Sequence, residues 1–539
     1  MRKLIVIIFF LTISFHSTSQ TFDVLIRRGE VFNGNGTSPA IADIGINKDT
    51  IAFIGDLSKA KGRKEIDANG LSVAPGFINM LSWSEATLLK DGRAMSDIKQ
   101  GVTLEVMGEG LSAGPRKPRA KDKRWLTLGQ FFTYLERKGV SPNFASFVGA
   151  TTVRLYVLDQ SDRQPNKSEL TQMKNLVAQA MREGAMGLGS SLIYAPATFA
   201  STEELIELSK VASSYGGMYI THMRSESDFI YKALNETFRI AKEADIPAEI
   251  YHIKINHERN WKKIDTVLNK IDSARKAGLK ITANLYPYNA SGTSLTARLP
   301  AWIQAGGAKE MRKRIVEPTT RKRVRHELKM GIPSKNSNPK DVMLLGFKKD
   351  SLNRLYKGKR LDEVSRMHGK NEDETMLDLL VADKTSIPAI FFLMSEDNMK
   401  RMMKLPYVSI CTDAAAYPAE PPYLEEGIHP RAYGSFARVL SDYVREQKVL
   451  TLEEAIRRMT SLPASNLKLH RRGQLNKGYF ADVVIFDKNK IDDKATYEQP
   501  HQYAEGVVHV FVNGQQVLNN GIHTGAMPGR ALRGPGYRK

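Results

Sequence analysis

Eight short apolar runs, each set apart from the next by a longer amphipathic stretch, constrain this chain most. They are GFINML (76–81), GVTLEVMG (101–108), FASFVGA (144–150), AMGLGSS (185–191), MYITHMR (218–224), AEIYHIKI (248–255), KITANLYPY (280–288) and VSICTDA (408–414). Strands alternating with helices imply βαβ units and a parallel sheet, and eight of them suggest an α/β fold closed as a (β/α)8 TIM barrel. A ninth run, AIFFLM (389–394), exceeds the count and is expected to belong to an insertion.

Both ends of the chain read differently. Residues 23–26, 43–46 and 51–54 are short β-branched runs followed by turn residues, and 481–486 and 507–512 repeat the pattern before Asn513-Gly514. Two β-rich ends can pair into one small β-sandwich, which divides the chain into 21–75, the barrel over 76–465, and 466–539. Ahead of these, Met1-Arg2-Lys3, the apolar run 4–15 and Ser17-Thr18-Ser19 have the form of a secretory signal peptide over residues 1–20. The run is too short to span a bilayer comfortably, and no later segment has about 20 consecutive apolar residues. An exported protein, periplasmic or secreted and without stable membrane insertion after cleavage, is expected. The single cysteine, Cys411, excludes an internal disulfide and any multi-cysteine metal site, and is most simply a buried strand residue.

The formal charge of +21 invites a nucleic-acid reading. However, residues 307–370 hold 19 Lys and Arg against 7 Asp and Glu, over half of the excess, inside a helical insertion spanning about 300–385. No nucleic-acid motif or interleaved aromatic residues accompany it, so no nucleic-acid partner is expected. The stretch is read as a solvated helical face, or as an attractor for an anionic substrate or surface.

In such a barrel the active site lies at the C-terminal ends of the strands. His222 ends the fifth run, His252 the sixth and Asp413 the eighth, while Glu109 follows the second. Either histidine alone reads as an ordinary buried side chain. Together with the carboxylates, at one face, they can converge on one divalent ion, most simply zinc, for which imidazole and carboxylate are suitable donors.

These residues resemble the amidohydrolase superfamily, and within it the D-aminoacylase (N-acyl-D-amino-acid deacylase) branch. The resemblance covers nearly all of the chain after residue 20. It is carried by VLIRRGEVFNGNG, VAPGFI, GVTLEVMGEG, SSLIYAP, THMR, YHIK, YPY, TDA, HPRAYGSFARVL, KGYFADVVIFD and VNGQQV. It implies the barrel with a small sandwich, and hydrolysis of the amide of an N-acyl-D-amino acid or similar carboxylate-bearing small molecule by a metal-activated water. By the same resemblance His222 and His252 ligate metal and Asp413 activates the water. Lys254, Tyr286 and Arg431 grip the substrate carboxylate, and Tyr194 stands near its carbonyl.

The chain departs from the family twice. Leu81 and Trp83 occupy the H-x-H positions of the first strand, so a second metal site is not expected. Glu109 stands where the branch has a cysteine ligand, which leaves Glu109, His222 and His252 for one ion. The alternatives are a cyclic-amide, D-dipeptide or lactone hydrolase on the same scaffold, or a binding protein that lost chemistry with the H-x-H.

Overall fold

The computed structural model describes residues 21–118, 124–330 and 337–538. The expected signal peptide lies outside the described residues.

All eight expected strands form. They are Phe77–Asn79, Val102–Met107, Asn143–Ser146 continued by Val148–Gly149, Gly187–Ser191, Met218–His222, Ala248–Ile250, Ile281–Leu285 and Val408–Ile410. Successive strands pair in parallel. The ladder then returns on itself: Ser82 and Ala414 form a parallel bridge, and the Asp413 N–H donates to the Leu81 carbonyl at 3.0 Å.

Period-two alternation explains how these strands are filled. Ile78, Leu104, Val106, Ala145, Phe147, Met218 and Ile220 share one buried cluster with Tyr251 and Tyr286. Their neighbours Phe77, Met107, Phe144 and Tyr219 belong to a second, larger cluster with the surrounding helices. Each large side chain so buried contributes about 1.5–3 kcal/mol, so both faces of the strands are held by packing. The helices start where local chemistry lets them. Asn166 and Glu169 form a capping box for Lys167–Glu183, and Ser201 caps Thr202–Ser214.

The chain ends share one nine-stranded sheet, in which Ser72–Pro75 pairs antiparallel with Val483–Phe486. Thr21–Val31 is flanked there by Ala40–Asn47, Lys61–Asp67 and Ser72–Pro75. Beyond this sheet the tail runs back to the parallel strands, where Ala531 bridges Phe144.

The ninth apolar run is the strand Pro388–Phe391. It lies in a separate antiparallel sheet with Ser291–Ser294 and Val342–Leu344, inside the long excursion between the seventh and eighth strands. The excursion buries its own cluster, including Leu295, Ile315, Leu361, Leu377 and Phe391. Its basic helices Ala308–Val316 and Pro318–Met330 bury only Met311, Ile315, Val324 and Leu328. Lys309, Lys313, Lys322, Arg323 and Lys329 are exposed, which is the solvated face expected of a charge run. Among the described residues, no helix is long and apolar enough to cross a membrane.

Candidate active site

The C-terminal ends of the strands surround a cavity of about 340 Å³. All eight residues singled out from sequence line it: Glu109, Tyr194, His222, His252, Lys254, Tyr286, Asp413 and Arg431.

Glu109 enters by way of Gly108, at φ +101°, where a Cβ would lie 2.4 Å from the Phe147 carbonyl oxygen, so only glycine fits. His222 ends its strand as expected. His252 and Asp413 do not: their strands stop at Ile250 and Ile410. Both residues have left-handed backbones, φ 34° and 49°, which cannot continue a ladder and which cost about 1–3 kcal/mol each in a non-glycine residue. Surrounding bonds hold them there. The Asn284 carboxamide oxygen accepts the His252 N–H at 2.7 Å, and Leu81 holds that of Asp413.

Glu109 Oε1 lies 3.0 Å from His222 Nδ1 and 3.3 Å from His252 Nε2, and the two rings are edge-on with centroids 4.4 Å apart. One ligand atom from each of the three residues falls within 4.8 Å of the others. Burial pushes the Glu109 carboxyl up, but its hydrogen bonds to the two imidazoles prevail and hold it near 2. His222 Nε2 is buried without a hydrogen-bond partner. A carboxylate between two imidazoles is a donor set that fits a divalent ion such as zinc.

Asp413 lines the same cavity. Trp83 donates its indole N–H to Oδ1 at 3.0 Å, and the Arg431 guanidinium pairs with Oδ2 at 2.7 Å. Arg431 also donates to the Gly292 carbonyl and lies 4.5 Å over the Tyr286 ring, while its Nε has no hydrogen-bond partner among the described residues. Tyr194 Oη and Thr293 Oγ1 are 2.7 Å apart. Burial, then the Glu109 charge, raise the Tyr194 hydroxyl far above its ordinary range, so it stays a neutral donor.

Several lining residues escaped the sequence reading. Glu226 accepts from Lys254 at 2.6 Å and lies 3.0 Å from His252 Nδ1. Burial opposes its ionisation, but Lys254 and the two histidines depress its carboxyl strongly. Its only signal is the polar run after THMR. Thr293 and Arg298 come from the excursion, and among the described residues Arg298 has no carboxylate closer than Asp373 at 4.0 Å. Cys411 is buried, as expected, and donates to Asn284 Oδ1.

The amidohydrolase family model matches residues 64–518. The chain belongs to the amidohydrolase family. It is 33% identical to the D-aminoacylase of Alcaligenes xylosoxydans xylosoxydans over 96% of this chain and 98% of that one. The structure of an N-acyl-D-glutamate deacylase from Bordetella bronchiseptica, complexed with zinc and a phosphonate inhibitor, superposes with a TM-score of 0.80 at 27% identity. It covers 95% of this chain and all of that one. A D-aminoacylase structure described by one-metal activation and second-metal attenuation does so with a TM-score of 0.79 at 31% identity and the same coverage. The D-aminoacylase resemblance therefore holds, and the chain is a hydrolase of carbon–nitrogen bonds other than peptide bonds.

Proposed function

We propose that this amidohydrolase is a mononuclear deacylase of N-acyl-D-amino acids. One observation carries the reading: the Glu109–His222–His252 donor set and Asp413 line one cavity with Lys254, Tyr286 and Arg431. Four cations and three carboxylates line that cavity, so with a divalent ion it suits an anionic substrate.

Glu109, His222 and His252 would hold the ion, which when bound polarises a carbonyl and lowers the pKa of water. Asp413 takes a proton from the attacking water and returns it to the leaving nitrogen, so that amide and water become carboxylic acid and amine. Trp83 and Arg431 fix both oxygens of Asp413 for that transfer. Tyr194, held by Thr293, donates to the oxygen on which negative charge develops. Lys254, Tyr286 and the free Nε of Arg431 receive the substrate carboxylate. Glu226 offsets the Lys254 charge, and both groups sit at His252 Nδ1, 3.0 and 2.6 Å away, which leaves Nε2 for the ion.

On this reading the ladder that returns on itself is a (β/α)8 barrel over about 76–465, and the nine-stranded sheet is the small sandwich built by 21–75 and 466–539. The basic start and apolar run before residue 20 support export. Amine release from paired N-acetyl-D- and N-acetyl-L-amino acids tests the activity. Turnover confined to the D series is expected, and turnover of neither series, or of both equally, rejects it.

A further inference from the structure

One buried titratable ring has no part in the mechanism above. His429 opens the HPRAYG stretch, two residues before Arg431, and is 5% exposed. Its Nδ1 accepts the Arg431 backbone N–H at 3.0 Å, and its Nε2 lies 3.0 Å from the Ala290 carbonyl oxygen. A carbonyl can only accept and a backbone N–H can only donate, so both bonds require one species: the neutral ring with its proton on Nε2. The surroundings favour that species. Burial, then the Arg431 charge, hold the ring well below its ordinary pKa. Tyr288 and Tyr497 stand edge-on to it at 5.4 and 5.3 Å, and Tyr286 lies 6.3 Å away.

The two partners belong to different walls of the cavity. Arg431 begins the helix Arg431–Arg438, whose N-cap, Pro430, offers no capping side chain. The His429 ring therefore satisfies the first N–H of that helix, one of the donors a helix leaves open. Ala290 leads into Ser291–Ser294, which carries Gly292 and Thr293. Gly292 accepts from Arg431 and Thr293 meets Tyr194. A Cβ added at Gly292 would come within 3.4 Å of both Arg431 and His429, so this strand rests directly on the pair.

We propose that His429 is a positioning residue: one neutral imidazole sets the strand Ser291–Ser294 and the Arg431 helix in register, and so aims the Arg431 guanidinium at the substrate carboxylate. This rests on reading Arg431 as part of the carboxylate clamp. It places the determinant of carboxylate selectivity two residues from the charge that exerts it.

Two substitutions divide the ring's bonds. In His429→Gln the amide nitrogen can replace Nε2 toward Ala290 while the acceptor for Arg431 is lost. In His429→Asn the amide oxygen can replace Nδ1 and the donor is lost. The readout is kcat/KM for an N-acetyl-D-amino acid divided by that for the N-acetyl amine lacking its carboxylate. For the wild type a ratio of about 100 or more is expected, because a site built to bind a charged group rejects the analogue without it. Arg431→Ala should bring the ratio near unity. His429→Gln and His429→Asn should each lower it by about tenfold, because each keeps only one of the two bonds that set the register. A wild-type ratio near unity overturns the clamp reading and this proposal with it. A high wild-type ratio kept in full by His429→Gln overturns the proposal alone. A second measurement needs no turnover: in protein labelled with 15N-histidine, the resonances that vanish in His429→Gln should report an Nε2–H ring from about pH 5 to about pH 9. An Nδ1–H ring or an imidazolium in that range overturns the proposal.

Discussion

The Trp83 indole N–H donates to Asp413 Oδ1 at 3.0 Å. Trp83 stands at a position where the family resemblance places a metal-binding histidine, and it holds the carboxylate that lines one cavity with Glu109, His222 and His252. Together with Arg431 on Oδ2, it gives Asp413 a fixed orientation from donors of the chain itself. A hydrogen bond to a charged acceptor is worth about 1.5–3 kcal/mol. Trp83→Phe should therefore lower kcat by about tenfold and leave KM within about threefold. Steady-state kinetics check this, and an unchanged kcat would mean that Trp83 only fills space.

Asp413→Asn keeps the shape of the side chain and removes the proton acceptor. Turnover should fall by about 100- to 10,000-fold, the usual contribution of a general base. Metal content, measured by elemental analysis, should stay at the wild-type value because Asp413 is not among the three donors. Loss of metal in this variant would move Asp413 from proton transfer to ligation.

Among the described residues, Glu226 is the only carboxylate that touches both Lys254 and His252 Nδ1. Glu226→Ala leaves the buried Lys254 ammonium without its counter-ion, a change that costs about 3–5 kcal/mol. The urea midpoint should fall accordingly. Zinc affinity should also weaken by about 10- to 100-fold, as when a group orienting a metal-binding histidine is lost. Direct metal titration reads the second effect separately from the first.

Much of this site was legible in the sequence because the chemistry of a parallel α/β sheet gathers at the C-terminal ends of its strands. His222, and Glu109 two residues past its strand, follow from locating the strands, and Leu81 with Trp83 stand where the resemblance places two histidines. The positions of His252 and Asp413 were read one step too simply. Apolar alternation runs on through Ile253 and Cys411, but the hydrogen-bonded ladder stops where the backbone turns left-handed. Glu226, Thr293 and His429 were not legible as site residues. Each acts through a partner at least 28 residues away, and nothing in the local pattern marks such a contact.

Glu85 supplies a pH test outside the donor set. Burial raises its carboxyl from 4.5 to about 7, with backbone N–H groups opposing and Glu105 adding to the rise. The folded protein thus binds a proton that the unfolded chain has released across that window. Its contribution is most favourable below about pH 4.5 and is lost as pH rises to about 7. Glu85→Gln cannot titrate. Its stability relative to the wild type, from urea unfolding at both ends of the window, should shift in the variant's favour with rising pH. A difference independent of pH would show that Glu85 ionises normally in the fold.

The central claim is one metal, held by Glu109, His222 and His252, in an N-acyl-D-amino-acid deacylase. It is tested most directly by adding zinc back to chelator-stripped enzyme while following amine release from an N-acyl-D-amino acid. The account predicts activity that is absent without metal, rises linearly with added zinc and reaches its plateau at one equivalent per chain. Activity that survives stripping, or that keeps rising to a plateau at two equivalents, would contradict it.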